Sequence, residues 1–433
     1  MIAELWSLAG LLHSERWPAT RIAHYQQQRL LETMQHALRK VPFYRSLGID
    51  PASLRSAADL QRFPVLRKAD VQRLGTALHA DDVDPRYCRV SRTSGSTGQP
   101  TETFFCPRSW SLLKGPVKWR RSLTGGLALP ERVLVVGEEP QDAAAGTPRL
   151  RPHWPSPLAL ARLSVHRPFD EQIAFARRWR PTTLYAYPSW YVEFLDRCEQ
   201  AGLAPPQVRR LFTSSERLTT ATRARLEAGF GGRVFDVYGS TEFKEVAAEC
   251  AHGRRHLIFE TTWVETLPAS APGEPTELAL TTLVNRAMPL LRYALGDFGR
   301  IDDTACACGR AAPSLTELRG RVVEFLESAD GRRISPYVAS TVIETHPAIA
   351  RYQLLQARPG ELLVRYIRRS GRDEAEIPGA ALQQALQAAL GADCQVRFEA
   401  VATLLRSAAG KHRLLIRDGA PLATADTAQR SAG

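Results

Sequence analysis

Several short segments of this 433-residue chain combine residue types that could do chemistry. Arg92-Thr93-Ser94-Gly95-Ser96-Thr97-Gly98-Gln99-Pro100-Thr101 gathers hydroxyls and glycines. Glycines let a backbone approach a ligand closely, and hydroxyls with exposed N–H groups suit phosphate oxygens. The pattern G-x-x-x-x-G-K-[ST] is absent, so this is not a Walker loop, and taken alone it reads first as a flexible turn. Tyr238-Gly239-Ser240-Thr241-Glu242 ends a strand-like run. Its aromatic face could stack on a base and its carboxylate could hold a cation that bridges phosphates. The plain alternative is a strand–turn–helix junction with Glu242 in solvent. Arg292-Tyr293-Ala294-Leu295-Gly296-Asp297 sets an Asp after a Gly turn, suited to accepting hydrogen bonds from paired ribose hydroxyls, or else forming an Asx turn.

Cysteine spacing offers a second chemistry. The seven cysteines are an odd number, which disfavours a disulfide framework and points to metal ligation or free thiols. Cys250-x5-His256 and Cys306-x-Cys308 supply three thiolates and an imidazole, a closed tetrahedral set suited to structural zinc. The spacing is not that of a common zinc finger, and His252 competes with His256. Reduced buried cysteines are the alternative, and the reading for Cys88, Cys106, Cys198 and Cys394.

These segments need elements to hold them. Leu30, Leu31, Met34 and Leu38 recur at helical spacing, and Pro42 stops that helix near Lys40. A short helix follows Lys68, so residues 1–75 form a helical lead-in. Arg132–Val136, Thr183–Tyr187, Arg210–Phe212 and Arg233–Val237 read as strands, with helices over Trp190–Gln200 and Thr219–Ala228 between them. That alternation predicts a largely parallel sheet with ligands beyond its carboxyl ends. After Gly320, strands at Tyr352–Gln356, Glu361–Ile367 and Gln395–Ala400 with a helix over Ala380–Leu390 make a small α+β unit. The expected division is 1–320, 321–418 and a disordered tail at 419–433.

In order, the hydroxyl loop, Ser214-Ser215-Glu216, Tyr238–Glu242, Arg292–Asp297, Gly320-Arg321 and Gly410-Lys411 resemble the acyl-adenylate-forming superfamily. Within it the chain is most similar to the phenylacetate–CoA ligase family and its relatives associated with capsule biosynthesis. HALRKVPFYRSLG, FPVLRKADV and LYAYPSWYVEFL carry that likeness, which runs from about residue 25 to 418. The resemblance implies an α/β fold, with a large N-terminal adenylate-forming domain of mixed sheets and helices and a small mobile α+β C-terminal domain. It also implies an ATP-dependent, AMP-forming carboxylate ligase that passes an acyl group to a thiol, by default coenzyme A.

The same resemblance implies residue roles. Ser94, Gly95, Ser96, Thr97 and Gly98 would wrap the β- and γ-phosphates of ATP. Glu216 would belong to the adenine loop, and Tyr238, with Gly239 and Ser240 beside it, would stack near adenine. Thr241 would contact the α-phosphate, Glu242 would hold Mg2+, and Asp297 would bind the ribose, with Arg321 at the hinge. Lys411 would reach the reacting acid. Several members of the group carry a similar Cys/His pattern, which supports zinc at Cys250, His256, Cys306 and Cys308. Two departures stand out: Gln99 occupies a position that is usually basic, and Val323 replaces the Asp that usually acts as hinge.

Composition bounds the alternatives. With 44% hydrophobic and 24% charged residues the chain is globular. No apolar run is long enough to span a membrane, and the start lacks a basic n-region and cleavage site, so the expectation is a cytoplasmic protein without membrane partners. Its net charge of +12 rests on dispersed arginines, expected to be a solvated surface, since only six of the 57 basic residues are lysines, Lys40, Lys68, Lys114, Lys118, Lys244 and Lys411. Such a surface suits coenzyme A or an acidic phosphopantetheine carrier protein. An amine acceptor, a nucleotide-binding protein without turnover, and a basic zinc-containing nucleic-acid-binding protein are the competing readings. The last lacks any helix-turn-helix, finger or RNA-binding signature, so no nucleic-acid partner is expected. Aromatic and small residues around Tyr187–Trp190, Phe212–Ser215 and Phe235–Gly239 favour an aryl or modestly hydrophobic acid; the oligomeric state is not legible.

Overall fold

The structure is a computed structural model and describes residues 2–92, 101–126, 129–137, 158–268, 276–319, 326–334, 336–344, 346–369, 379–406 and 412–417. The chain divides into two compact units, one of residues 1–95, 99–128 and 235–321, the other of 96–98, 129–234 and 322–433.

In the first unit the amphipathic Ala19–Lys40 helix buries Leu30, Met34 and Leu38 and ends before Pro42, as its periodicity predicts. The short Lys68–Leu74 helix follows. These pack on antiparallel strands in the spatial order Thr262–Thr266, Thr276–Thr282, Tyr293–Asp302, Ser314–Arg319, Arg255–Leu257, Lys244–Glu249 and Arg233–Ser240. The parallel sheet predicted from the middle runs does not extend to this half, whose strands pair antiparallel. After Arg233–Ser240 the chain turns straight back as Lys244–Glu249, so the Tyr238–Glu242 segment is a hairpin turn and no helix follows it. So short a reversal leaves no room for a crossover helix, which parallel pairing requires.

The second unit carries the parallel part. Arg210–Ser214, Thr183–Ala186, Glu131–Gly137 and Leu158–Ser164 pair in that order with parallel registers. The Leu158–Ser164 strand is absent from the sequence reading. Trp190, Phe194 and Phe230 from the Pro188–Gln200 and Thr220–Phe230 helices close a core over these strands.

Beyond residue 326 a separate hydrophobic core forms around Leu354, Val364, Leu386 and Leu415. Its sheet runs Gln395–Ala400, Glu361–Arg368, Ile349–Gln356 and Leu415–Arg417, with the Ala380–Leu390 helix across it. Charged groups join this region to the Pro188–Gln200 helix. Arg351 donates to Glu193 at 2.7 Å and lies 3.4 Å from Asp196, and Arg406 also pairs with Glu193. Thr219 Oγ1 donates to Glu344 at 2.6 Å.

His412 is enclosed in the same network. Burial, with Arg406 and Arg351 nearby, lowers its pKa to about 4, against smaller raising effects from the Tyr352 backbone and Glu193. The unfolded imidazole takes up a proton below its ordinary value near 6.5, whereas the folded one resists. Its contribution to stability is therefore complete above about pH 6.5 and falls away as pH drops towards 4. Urea denaturation at stepped pH should show this loss, and His412→Asn should flatten it. An unchanged slope in the variant would assign the acid sensitivity to other groups.

Candidate functional site

A glycine and a hydroxyl shape the hairpin that carries Thr241 and Glu242. A Cβ on Gly239 would sit 2.0 Å from the Lys244 carbonyl oxygen, so only glycine lets the two limbs approach so closely. Ser240 Oγ accepts from the backbone N–H of Glu242 at 3.2 Å and of Phe243 at 3.1 Å, which closes the turn.

The Tyr293–Asp302 strand faces this hairpin, and the helical lead-in holds it there. Leu66 N–H donates to the Arg292 carbonyl at 3.1 Å, and Ala294 N–H to the Leu66 carbonyl at 2.8 Å. Tyr44 Oη accepts from Leu291 N–H at 3.1 Å. Arg292, at a left-handed φ of 49°, donates to Phe63 O and Glu265 Oε1, both at 3.0 Å. Thus fixed, the strand and hairpin exchange two bonds. Tyr238 Oη donates to Asp297 Oδ2 at 2.8 Å, and Tyr293 Oη lies 3.3 Å from Glu242 Oε1. Each motif lends a phenol to the other's carboxylate. Tyr238 and Glu242 are buried, so these partners offset the desolvation of both acids.

Sequence reasoning gave no role to Lys244, which lies in this neighbourhood. Its ammonium donates to Ser91 Oγ at 2.5 Å and to the Thr241 carbonyl at 2.6 Å. It also lies over the rings of Phe105 and Trp110, 4.7 and 5.3 Å from their centroids. Burial, then Lys114, lowers its pKa to about 7, with Lys118 adding and Glu242 opposing. The scarcity of lysine was the signal that could have found it. The strands Arg89–Arg92 and Glu102–Phe105 pair antiparallel and so bracket the hydroxyl segment. Ser94, Gly95, Ser96, Thr97 and Gly98 themselves lie outside the described residues, as do Arg321, Lys411 and the 419–433 tail.

In the first unit, the ligand atoms of Cys250, His256, Cys306 and Cys308 all lie within 4.8 Å of one another. Cys250 Sγ is 3.8 Å from Cys306 Sγ, and Cys308 Sγ is 3.3 Å from His256 Nε2. His256 Nδ1 donates to the Ala312 carbonyl at 2.7 Å, which fixes the tautomer and leaves Nε2 bare towards the thiols. Burial lowers the His256 pKa, keeping the ring neutral and able to ligate. Arg254 shapes the opposing loop through Asp302 at 2.7 Å and the Ala305 carbonyl at 3.0 Å. His252 is not part of the cluster; its backbone N–H donates to Cys250 Sγ at 3.3 Å.

In the second unit, Glu216 receives three hydrogen bonds. Ser189 gives its N–H and its hydroxyl, each at 2.8 Å, and the backbone N–H of His412 donates at 2.9 Å. Burial raises the Glu216 pKa against the lowering effect of these donors. The carboxylate thus anchors the residue that follows Lys411 in sequence, a role its loop position did not announce.

Comparison with known proteins adds context to this geometry. Residues 326–418 match the CapK C-terminal domain family. The phenylacetate–coenzyme A ligase of Thermus thermophilus is 27% identical over 367 residues, covering 80% of this chain and 81% of the relative. Its counterpart in Escherichia coli is 25% identical over 359 residues, 78% and 79% of the two chains. Among solved structures, 2-hydroxyisobutyryl-CoA ligase in the postadenylation state superposes with a TM-score of 0.78 at 19% identity, covering 94% of this chain and 91% of that one. An anthranilate CoA ligase in complex with anthranoyl-AMP gives 0.55 at 18% identity, over 82% and 69%. The chain is therefore similar to phenylacetate–coenzyme A ligases over most of its length, shares the fold of 2-hydroxyisobutyryl-CoA ligase, and matches the CapK C-terminal domain family over residues 326–418.

Proposed function

We propose that this protein is an ATP-dependent, AMP-forming carboxylate ligase that acylates a thiol, by default that of coenzyme A. The observation that carries the reading is the mutual bonding of Tyr238 with Asp297 and of Tyr293 with Glu242, which unites the two nucleotide motifs in one place. In the first half-reaction a carboxylate oxygen of the acid attacks the α-phosphorus of ATP. The bond to the bridging oxygen breaks, and pyrophosphate leaves. In the second, a thiolate attacks the acyl carbon and AMP leaves.

Each residue has a task in this scheme. Asp297, its Oδ2 held by Tyr238, orients the ribose. Thr241 contacts the α-phosphate, and Ser94, Gly95, Ser96, Thr97 and Gly98 enclose the outer phosphates. Glu242 fits Mg2+, being a buried hard-oxygen donor pinned through Oε1, and the ion when bound lowers the charge barrier between two anions. Lys411 offsets charge at the reacting carboxylate and α-phosphate, and the anchoring of His412 by Glu216 restricts where its chain segment can go. On this reading the functional division is 1–320 and 321–418, with Arg321 at the hinge. A cytoplasmic setting suits both ATP and a thiol acceptor, and a carrier protein or an amine is the alternative acceptor. Among the described residues no helix is long and apolar enough to cross a membrane.

Cys250, His256, Cys306 and Cys308 would hold structural Zn2+. A tetrahedral zinc with Zn–S bonds of about 2.3 Å sets its sulfurs about 3.8 Å apart. The 3.8 Å between Cys250 and Cys306 suits that spacing. The ion would tie the turn after Lys244–Glu249 to the loop after Tyr293–Asp302, and so support both limbs of the nucleotide site from behind.

Acid-dependent exchange of pyrophosphate into ATP, across aryl, aliphatic and amino acids, tests the activity. The wild type should exchange with at least one acid, and Lys411→Ala should lose roughly 100-fold or more. No exchange with any acid, together with salt-sensitive retention on DNA or RNA, would sink the ligase reading. For the metal, elemental analysis of the purified protein should find zinc bound, and Cys306→Ser should lose it. Unchanged stoichiometry in that variant would remove the site.

A further inference from the structure

Cys88 and Cys106 stand at the base of the antiparallel pair Arg89–Arg92 and Glu102–Phe105, and neither belongs to the Cys/His cluster. Arg89 is the register partner of Phe105, so the same register carried one residue further sets Cys88 opposite Cys106. Both backbones stay extended at that step, with φ −79° and ψ 154° at Cys88 and φ −63° and ψ 154° at Cys106. Residues directly opposite in such a pair have Cα atoms about 4.5–5.5 Å apart and side chains on one face. A disulfide needs Cα atoms roughly 4.4–6.8 Å apart, so a ladder step of this kind meets its span. Each backbone is also anchored without help from sulfur. Cys88 N–H donates to the Pro85 carbonyl, and the Cys106 carbonyl accepts from Trp110 N–H, both at 3.0 Å.

The two thiols respond to each other's charge. Burial raises the Cys88 pKa, and Cys106, then Asp84, raise it further. Cys106 Sγ lies 3.1 Å from Ser109 Oγ, a partner able to exchange the thiol proton. Unlike Cys198 and Cys394, which are buried, Cys88 and Cys106 are half-buried and open to a small oxidant.

We propose that Cys88 and Cys106 are a reversible redox pair, which a small peroxide joins by a disulfide across the base of the hairpin. Burial disfavours the Cys88 thiolate, so Cys106 reacts first. Its sulfur attacks one oxygen of hydrogen peroxide, the O–O bond breaks, and water leaves with the thiol proton, giving a sulfenic acid. Cys106 then no longer carries the charge that opposes ionisation of Cys88. The Cys88 sulfur attacks the sulfenic sulfur, the S–O bond breaks, and a second water leaves with the Cys88 proton. Two electrons pass from the sulfurs to the peroxide, and a dithiol returns them by exchange. Under reducing conditions such a bond forms only transiently, as sensing requires. It would restrain the two strands from which Ser91 and Phe105 hold the Lys244 ammonium.

Peptide mapping tests the pair and needs no enzymatic turnover. The reduced protein is treated with hydrogen peroxide, alkylated, and digested with trypsin in the absence of reductant. A linked peptide joining residues 87–89 to residues 93–108 should appear, and dithiothreitol should abolish it. In Cys88→Ser the linked peptide should be lost, and dimedone should capture Cys106 as the stalled sulfenic acid. In Cys106→Ser, Cys88 should stay alkylatable at the same peroxide dose. Linkage of Cys88 or Cys106 to any other cysteine overturns the proposal. So does full alkylation of both at a dose that oxidises the Cys/His cluster. Sulfinic acid on Cys106 of the wild type without linkage would also overturn it, by showing that Cys88 does not reach that sulfur.

Discussion

Two phenol–carboxylate contacts, Tyr238 with Asp297 and Tyr293 with Glu242, are the constraint around which the first unit is arranged. Each requires the hairpin and the neighbouring strand to be held together, because Glu242 and both tyrosines are buried and an unpaired acid there would be costly. The rest of the unit serves that alignment. Tyr44, Phe63 and Leu66 from the helical lead-in fix the strand through bonds at Leu291, Arg292 and Ala294. Gly239 and Ser240 fix the turn. The Cys/His cluster sits at the far ends of the same two elements, so whatever fastens those four side chains also limits how far the limbs can splay.

Charge is used differently from what the composition suggests. Arginines expected as a solvated surface are in several cases buried in ion pairs. Arg120 lies 2.5 Å from Glu260, Arg121 lies 2.9 Å from Glu245, Arg210 pairs with Glu131, and Arg351 and Arg406 share Glu193. Such pairs add little net stability over apolar packing, but breaking one strands its partner. They therefore fix which elements meet. The delocalised guanidinium, more weakly hydrated than an ammonium, suits this structural work. Lysine stands in other places, and Lys114 and Lys244 both lie over the ring of Trp110.

Much of this was legible in the sequence. The Ala19–Lys40 helix, the Glu131–Gly137, Thr183–Ala186 and Arg210–Ser214 strands and the Ala380–Leu390 helix follow from periodicity and from Pro and Gly punctuation. The family likeness followed from the order of motifs, each of them weak alone. Where the reading stopped, the cause was physical. A strand's residues do not say whether its neighbour runs parallel or antiparallel, so nothing in Tyr238–Glu242 itself separates the hairpin that forms from the alternative of a strand–turn–helix junction. The Leu158–Ser164 strand carries an arginine in a short apolar run, too little pattern to mark it.

The sequence by itself determined the inventory: hydroxyl loop, two carboxylates, four soft ligands and few lysines. Chain order alone sufficed there, because the motifs are local and their residue types dictate their chemistry. Only the tertiary structure decided which residues are neighbours across long separations. It paired Tyr238 with Asp297 and Tyr293 with Glu242, chose His256 over His252, tied Glu216 to the residue after Lys411, and set Lys244 over Phe105 and Trp110 beside Ser91. Those pairings depend on packing, register and the loss of water around buried charge, none of which is carried by any one segment.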